Sequence, residues 1–298
     1  MQVFISTLID GLCLGSLYAL VALGYSMVYG IAKMLNFAHG DVIMIGIYTL
    51  FVAMSALGTS PLMLAVSALI MIVFCALLGF TIEKLAYKPL RKASPLSVLI
   101  TAIGVSYLLQ NIALLVFGSR QQKVQSYFAF GSIHVGGVQI ELLSLVILGV
   151  TVLVMVLLSL FINKTKLGSA MLAVSEDKGA AQLMGINVNA TISLTFVIGS
   201  ALAGVGALLY AAKTPWVGPY TGSVFGIKAF AAAVFGGIGS IPGAMIGGVL
   251  IGIIEAMMNV FLPDFLSNAS DGFAYLVLII MLVIKPSGLL GRKRIEKV

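Results

Sequence analysis

Charge is what this chain of 298 residues has least of: Asp, Glu, Lys and Arg together make up 9% of it, against 60% hydrophobic residues. A water-soluble domain carries roughly a quarter charged residues. So apolar a chain does not cover a water-facing surface, and its composition makes lipid the solvent. Histidine is nearly as scarce. His39 and His134 are the only two, and they fall on opposite sides of the topology below, which argues against a metal centre or a hydrolytic triad. Cys13 and Cys75 make neither a metal motif nor a disulfide framework. Both lie in apolar runs and read as packing residues. There is no Walker A sequence, no Gly-x-Ser-x-Gly and no His-Glu-x-x-His. The chain is therefore expected not to be an enzyme and to hold no cofactor of its own. If it drives transport, the energy comes from an ion gradient or a partner ATPase. A secretory signal peptide is not expected either: the first ten residues lack a basic cluster, and the apolar run behind them is too long for an h-region.

Long uncharged runs are what the chain has instead. Residues 11–32, 62–82, 96–117, 142–162 and 193–212 contain no Asp, Glu, Lys or Arg, and about 20 such residues cross a bilayer as a helix. The alternation of a transmembrane barrel strand is missing from all five, which leaves helices as the way to satisfy the backbone in lipid. The first of these runs lies in a helix expected over 3–30, and further spans are expected from about 41 to 57 and near 272–284. Residues 224–260 are apolar but interrupted at 236–243 by Gly-Gly-Ile-Gly-Ser-Ile-Pro-Gly. They read as two spans or half-spans joined by a Gly-rich turn. The expectation is an all-α polytopic membrane protein with eight or nine transmembrane helices or half-helices, forming a single transmembrane domain over 1–298.

The net charge is +7, and twelve basic residues gather in three segments. These are 83–95 with Lys84, Lys88, Arg91 and Lys92, then 163–192 with Lys164, Lys166 and Lys178, then the tail with Lys285, Arg292, Lys293, Arg294 and Lys297. The intervening loops hold Arg120, Lys123 and Lys213. The asymmetry places the three segments, and so the C-terminus, in the cytoplasm. Basic residues spread over short loops beside membrane spans, with no binding module, exclude a nucleic-acid partner.

Polar residues among apolar ones mark candidate sites, since an ionisable group in the bilayer is costly. Glu255 is the clearest and reads either as a hydrogen bond between helices or as a polar point on a substrate path. Asp10 and Lys228 read as interfacial groups that reach water. Asn36-Phe37-Ala38-His39-Gly40-Asp41 sits where two helices join. It reads as a helix start capped by Asn36 or Asp41 and as a pore-lining or gating turn. Pore or gating candidates are thus Asn36, His39, Gly40, Gly236, Gly237, Gly239 and Glu255. Small residues four apart, at Gly11/Gly15, Ser200/Gly204, Gly243/Gly247 and Gly248/Gly252, let helices approach closely, either within the chain or against a second one. In the long cytoplasmic segment, 175–184 reads as a short helix with an acidic start, stopped by Gly185. Ala180, Ala181, Leu183 and Met184 supply a face for a soluble partner, or the helix is simply solvated.

Three blocks resemble a known family. They are Ala22–Gly30 with Asn36–Gly40; Glu176-Asp177, Ala180-Ala181 and Gly185-Ile186-Asn187 leading into 194–204; and 228–248 with Glu255. The segment 285–291, Lys-Pro-Ser-Gly-Leu-Leu-Gly, also fits. The chain resembles the permeases of branched-chain amino-acid ABC importers, of the H-type subunit of the leucine/isoleucine/valine system. The resemblance implies a coupling helix that docks in a groove of an ATPase subunit, with Glu176, Asp177, Ala180, Ala181 and Gly185 at the coupling site. It implies a second homologous permease, cytoplasmic subunits that bind and hydrolyse ATP, and a periplasmic protein that delivers Leu, Ile or Val. It also implies a place in the bacterial inner membrane. Relatives often carry arginines before the Glu-Asp pair, whereas 167–175 here reads Leu-Gly-Ser-Ala-Met-Leu-Ala-Val-Ser. Similar permeases carry urea or short amides, and a secondary carrier coupled to H⁺ or Na⁺ is a further alternative. That carrier would call for paired intramembrane carboxylates and an inverted repeat; one deep carboxylate and no clear repeat are found.

Overall fold

Local sequence dictates where the helices begin and end. In a computed structural model, which describes residues 2–91, 93–124, 131–135, 138–263 and 270–291, α1 (Gln2–Ala32) is followed by α2 (His39–Leu57), α3 (Pro61–Ile82) and α4 (Pro95–Phe117). Ser60 and Ser94 cap α3 and α4, their hydroxyls accepting from Met63 N at 3.4 Å and Ser97 N at 3.3 Å. The proline after each serine fits the first helical position, where no amide hydrogen is needed. Gly58 and Gly118 stop α2 and α4 at φ of +90° and +77°, a backbone state that costs other residues energy. A π-helical turn, Glu83–Tyr87, extends α3, and Lys88 N closes it on Glu83 O at 2.7 Å.

The chain continues through three short strands, β1 (Gln122–Lys123), β2 (Ser132–Val135) and β3 (Val138–Glu141), to α5 (Leu142–Lys164), α6 (Lys166–Glu176), α7 (Lys178–Leu183) and α8 (Val188–Lys213). Then come β4 (Trp216–Val217), α9 (Thr221–Gly236), α10 (Ile241–Phe261) and α11 (Ser270–Ile284). Among the described residues seven segments are long and apolar enough to cross a membrane: α1, α2, α3 with its π turn, α4, α5, α8 and α10; α9 and the Tyr275–Ile284 part of α11 are shorter apolar helices. This is the expected polytopic all-α architecture. Lys92 and the basic tail residues Arg292, Lys293, Arg294 and Lys297 lie outside the described residues. Large apolar side chains such as Leu69 on α3, Leu115 on α4 and Leu153 on α5 stand exposed, a surface that water penalises and hydrocarbon does not.

The described chain forms two compact units. One comprises Met27–Ala129 and Leu157–Ile227. Its centre is the packing of α2, α3 and α8, with α4 laid against α2. Small residues set the spacing: a Cβ on Gly79 of α3 would fall 1.9 Å from the Ser200 hydroxyl of α8, and Gly204 sits over Ile72 and Cys75. The Ser200/Gly204 face therefore packs inside the chain. In the same unit β1 pairs antiparallel with β4, joining the loops after α4 and α8.

The other unit comprises Met1–Ser26, Phe130–Val156 and Lys228–Val298. Here α1 and α10 meet through glycine: a Cβ on Gly252 would lie 2.2 Å from Gly15 Cα, and one on Gly248 2.4 Å from Ala19 Cα. Gly11/Gly15 and Gly248/Gly252 are thus two halves of one contact. Strands β2 and β3 pair antiparallel. The Gly-rich turn separates α9 from α10, with Ser240 capping α10 through Gly243 N at 3.2 Å. The segment 285–291 explains itself here: Leu289 N and Leu290 N donate to Phe235 O and Gly236 O, each at 2.9 Å, satisfying carbonyls that the end of α9 leaves open.

Candidate functional site

Residues 163–192, expected on the cytoplasmic side, hold two helices where one was expected. Asp177 breaks the helix, with φ −151° and ψ 115°. It ends α6 and caps α7, its Oδ1 accepting from Gly179 N at 2.7 Å and Ala180 N at 3.0 Å. An aspartate at this position offers the backbone a local alternative to helix. The sequence 175–184 therefore folds as a corner, and α6, capped by Thr165 through Gly168 N at 3.0 Å, went unanticipated. Gly185 ends α7 at φ +80°. Its amide donates to Gln182 O and that of Ile186 to Ala181 O, both at 3.0 Å, the paired bonds of a Schellman stop.

The outward face of α7 differs from the expected one. Ala181 is buried, so it belongs to the packing of the corner and not to an external surface. Leu183 and Met184 are 90% and 82% exposed, and Glu176, Asp177 and Ala180 are also exposed. These two apolar side chains lie outside every membrane span. Lys178 ties the start of α7 to the end of α1, donating to Ala32 O at 3.0 Å; a cation suits the negative end of a helix. Burial, and then the charge of Arg91, hold the Lys178 amine below the usual lysine range.

The Asn36–Asp41 turn is built differently from a capped start. The residue at the cap position of α2 is Ala38, and no side chain caps the helix. Asn36 Oδ1 instead accepts from the Tyr87 hydroxyl at 2.9 Å. The Asp41 carboxylate, fully buried, accepts from the hydroxyl of Ser106 and from Gln110 Nε2 at 3.1 Å. Both partners reach back from α4, and the acid does more for helix packing than a cap would. His39 and Gly40 are buried in the first turn of α2. Gly40 faces the backbone of α9, where a Cβ would lie 2.3 Å from Gly222 O. Nearby, Glu83 of the π turn is buried, paired with Arg91 and bonded to the Ser193 hydroxyl at 2.7 Å; Arg91 also reaches Asn189.

Glu255 lies two-thirds along α10 and is 5% exposed. Its carboxylate accepts from Lys228 Nζ of α9 at 2.8 Å and from the Tyr18 hydroxyl of α1 at 2.8 Å. Lys228 thus spends its charge on an internal ion pair and not at the interface: the pair is the cheaper solution, since each charge alone in hydrocarbon is costly. Gly236, Gly237 and Gly239 form the α9–α10 turn, with φ of +106° at Gly237 and +94° at Gly239, and Gly239 N donates to Ser26 Oγ at 3.4 Å. Among the described residues no group of His, Cys, Asp and Glu is arranged to hold a metal ion.

A multi-pass helical protein with ion pairs buried between its helices and an apolar corner left bare outside the spans fits the class of membrane permeases. A family model described as the permease component of branched-chain amino acid transport systems matches residues 7–283. The high-affinity branched-chain amino acid transport system permease protein BraD of Pseudomonas aeruginosa is 45% identical over 99% of this chain and 98% of its own length. The corresponding permease protein LivH of Escherichia coli K12 is 43% identical over 99% of this chain and 98% of its own. A probable branched-chain amino acid transport permease protein LivH of Methanocaldococcus jannaschii is 31% identical over 93% and 89%. This chain belongs to that branched-chain amino acid permease family.

Proposed function

We propose that the chain is the membrane permease subunit of an ATP-driven importer of leucine, isoleucine and valine. It works in a bacterial inner membrane with a second homologous permease, cytoplasmic ATP-binding subunits and a periplasmic binding protein. Family membership along nearly the whole chain supports the substrate class. The observation that carries the partnership is the pair Leu183 and Met184, almost wholly exposed on a capped corner outside the spans. Exposed apolar groups in contact with water mark interaction sites, and an ATPase groove is the occupant that the importer reading supplies. The excess of basic residues in 83–95, 163–192 and the tail supports a cytoplasmic side for this corner and for the C-terminus.

On this reading the ATPase biases the permease between conformations through α7, and Lys178 passes that bias to the end of α1. A partner shifts such an equilibrium only by binding the two states differently. Leu183→Glu with Met184→Glu tests the dock. Both side chains are bare in the chain itself, so its melting temperature in detergent should stay at the wild-type value. The ATPase should no longer co-purify, and leucine uptake by the reconstituted assembly should drop by about tenfold or more, the loss of a small interface hot spot. Retention of the ATPase and of wild-type uptake would remove α7 as the dock.

A further inference from the structure

Each buried carboxylate described so far has a basic partner except one. Glu255 has Lys228 and Glu83 has Arg91. Asp41, in the first turn of a membrane-spanning helix and without exposed surface, has among the described residues only the neutral Ser106 and Gln110. A carboxylate in a low-dielectric interior is costly without a countercharge. Its two oxygens accept about four hydrogen bonds when ionised, and two neutral donors leave room for more. Gln110 Nε2 also donates to Ser106 Oγ at 3.0 Å, so the three side chains form a preassembled polar nest. Ser106 is half-buried, one side chain away from the exposed face of α4.

A second observation lies on the same seam. Tyr48 is seven residues along α2, two turns or about 10 Å of helix axis from Asp41 and on the same face. Its ring stacks on Phe117 of α4 with centroids 4.1 Å apart and planes 9° apart. Its hydroxyl is buried with no hydrogen-bond partner among the described residues, a condition that costs about 1–3 kcal/mol and calls for a reason. Helical side chains lean toward the helix N-terminus, which turns this phenol toward Asp41. The α2–α4 seam therefore offers an anion at one end, an idle neutral donor at the other, and stacked rings beside them.

We propose that this seam is a binding site for the transported amino acid, with Asp41 receiving its ammonium group. The proposal rests on the importer reading above. The ammonium supplies the countercharge that Asp41 lacks, and two of its three N–H groups can fill the acceptor positions that Ser106 and Gln110 leave open on the carboxylate. Tyr48 donates to the substrate carboxylate, and the apolar side chain lies along the rings of Tyr48 and Phe117. In the empty state Ser106 and Gln110 hold the carboxylate.

The test uses the complete assembly of both permeases, ATPase and binding protein in proteoliposomes, and reads leucine moved per ATP hydrolysed. Asp41→Asn keeps the size of the side chain and removes the charge. The ratio should fall about tenfold, the loss of one charge-assisted hydrogen bond, and Asp41→Glu should restore part of it. A wild-type ratio, or uptake and hydrolysis falling together, would overturn the proposal, because a merely structural acid acts on both alike. If Asp41→Asn fails to assemble, Tyr48→Phe decides. Removing an unpartnered hydroxyl should leave the melting temperature equal or higher while raising the apparent KM for transport; an unchanged KM would overturn the proposal. Wild-type assembly that moves leucine without ATP would instead refute the importer reading, whatever the variants do.

Discussion

Lys228→Met is expected to destabilise the folded chain by about 3–5 kcal/mol, the cost of stranding one member of a buried ion pair. The side chains of Lys228 and Glu255 are 12% and 7% exposed, so water does little to relieve the carboxylate left behind. Among the described residues Tyr18 alone would face it, and one neutral hydrogen bond does not replace a countercharge. The double variant Lys228→Met with Glu255→Gln should recover most of the loss, because no charge then remains to be compensated and the Tyr18 hydroxyl still finds an acceptor. Melting temperatures in a single detergent separate these outcomes. A Lys228→Met protein that melts with the wild type would mean that the pair contributes nothing to holding α1, α9 and α10 together.

Gly252→Val should be the most damaging single change in the α1–α10 contact. The new Cβ would fall 2.2 Å from both Cα and N of Gly15, which are backbone atoms with no rotamer to escape into. The helices would have to part along a line that also includes Gly11, Val249 and Gly248. Overpacking costs about 1–3 kcal/mol and at times more, and close packing is what holds helices together in lipid. The variant should therefore fail to accumulate as a folded protein. Gly104→Ala is the matched control. Nothing lies within 4 Å of its added Cβ, so it should express and melt like the wild type. Equal behaviour of the two variants would show that the glycine contact is not close-packed in the membrane.

The span architecture was legible because it depends on local chemistry. Uncharged runs long enough for a bilayer, serine followed by proline, and glycine after the last turn are each read within a few residues: Ser60 and Ser94 open α3 and α4, and Gly58 and Gly118 close α2 and α4. Gly185 likewise stops α7 where its sequence suggests. What could not be read was pairing at a distance. Tyr18 and Glu255 are 237 positions apart, and Asp41 finds its donors more than 60 residues along the chain. Lys228 looks interfacial in isolation because only the folded chain brings Glu255 within 2.8 Å of it. The corner at Asp177 failed for another reason: the side chain competes with the backbone for the same amides, and helical composition on both sides hides the break. The burial of Ala181 follows from that corner. A signal for the Asp41 nest was present, since an acid beside a histidine opening an apolar span is unusual, but its partners on α4 look like ordinary polar residues of a membrane helix.

The central claim is that the chain works as the permease of an ATP-driven importer of branched-chain amino acids, and leucine uptake into proteoliposomes tests it most directly. The vesicles contain the complete assembly, loaded binding protein faces the periplasmic side, and ATP is present or absent on the other side with no ion gradient across the membrane. The account predicts accumulation of leucine against its gradient only when ATP is hydrolysed. Accumulation without ATP once a proton or sodium gradient is imposed, and none with ATP alone, would contradict it and make the chain a secondary carrier.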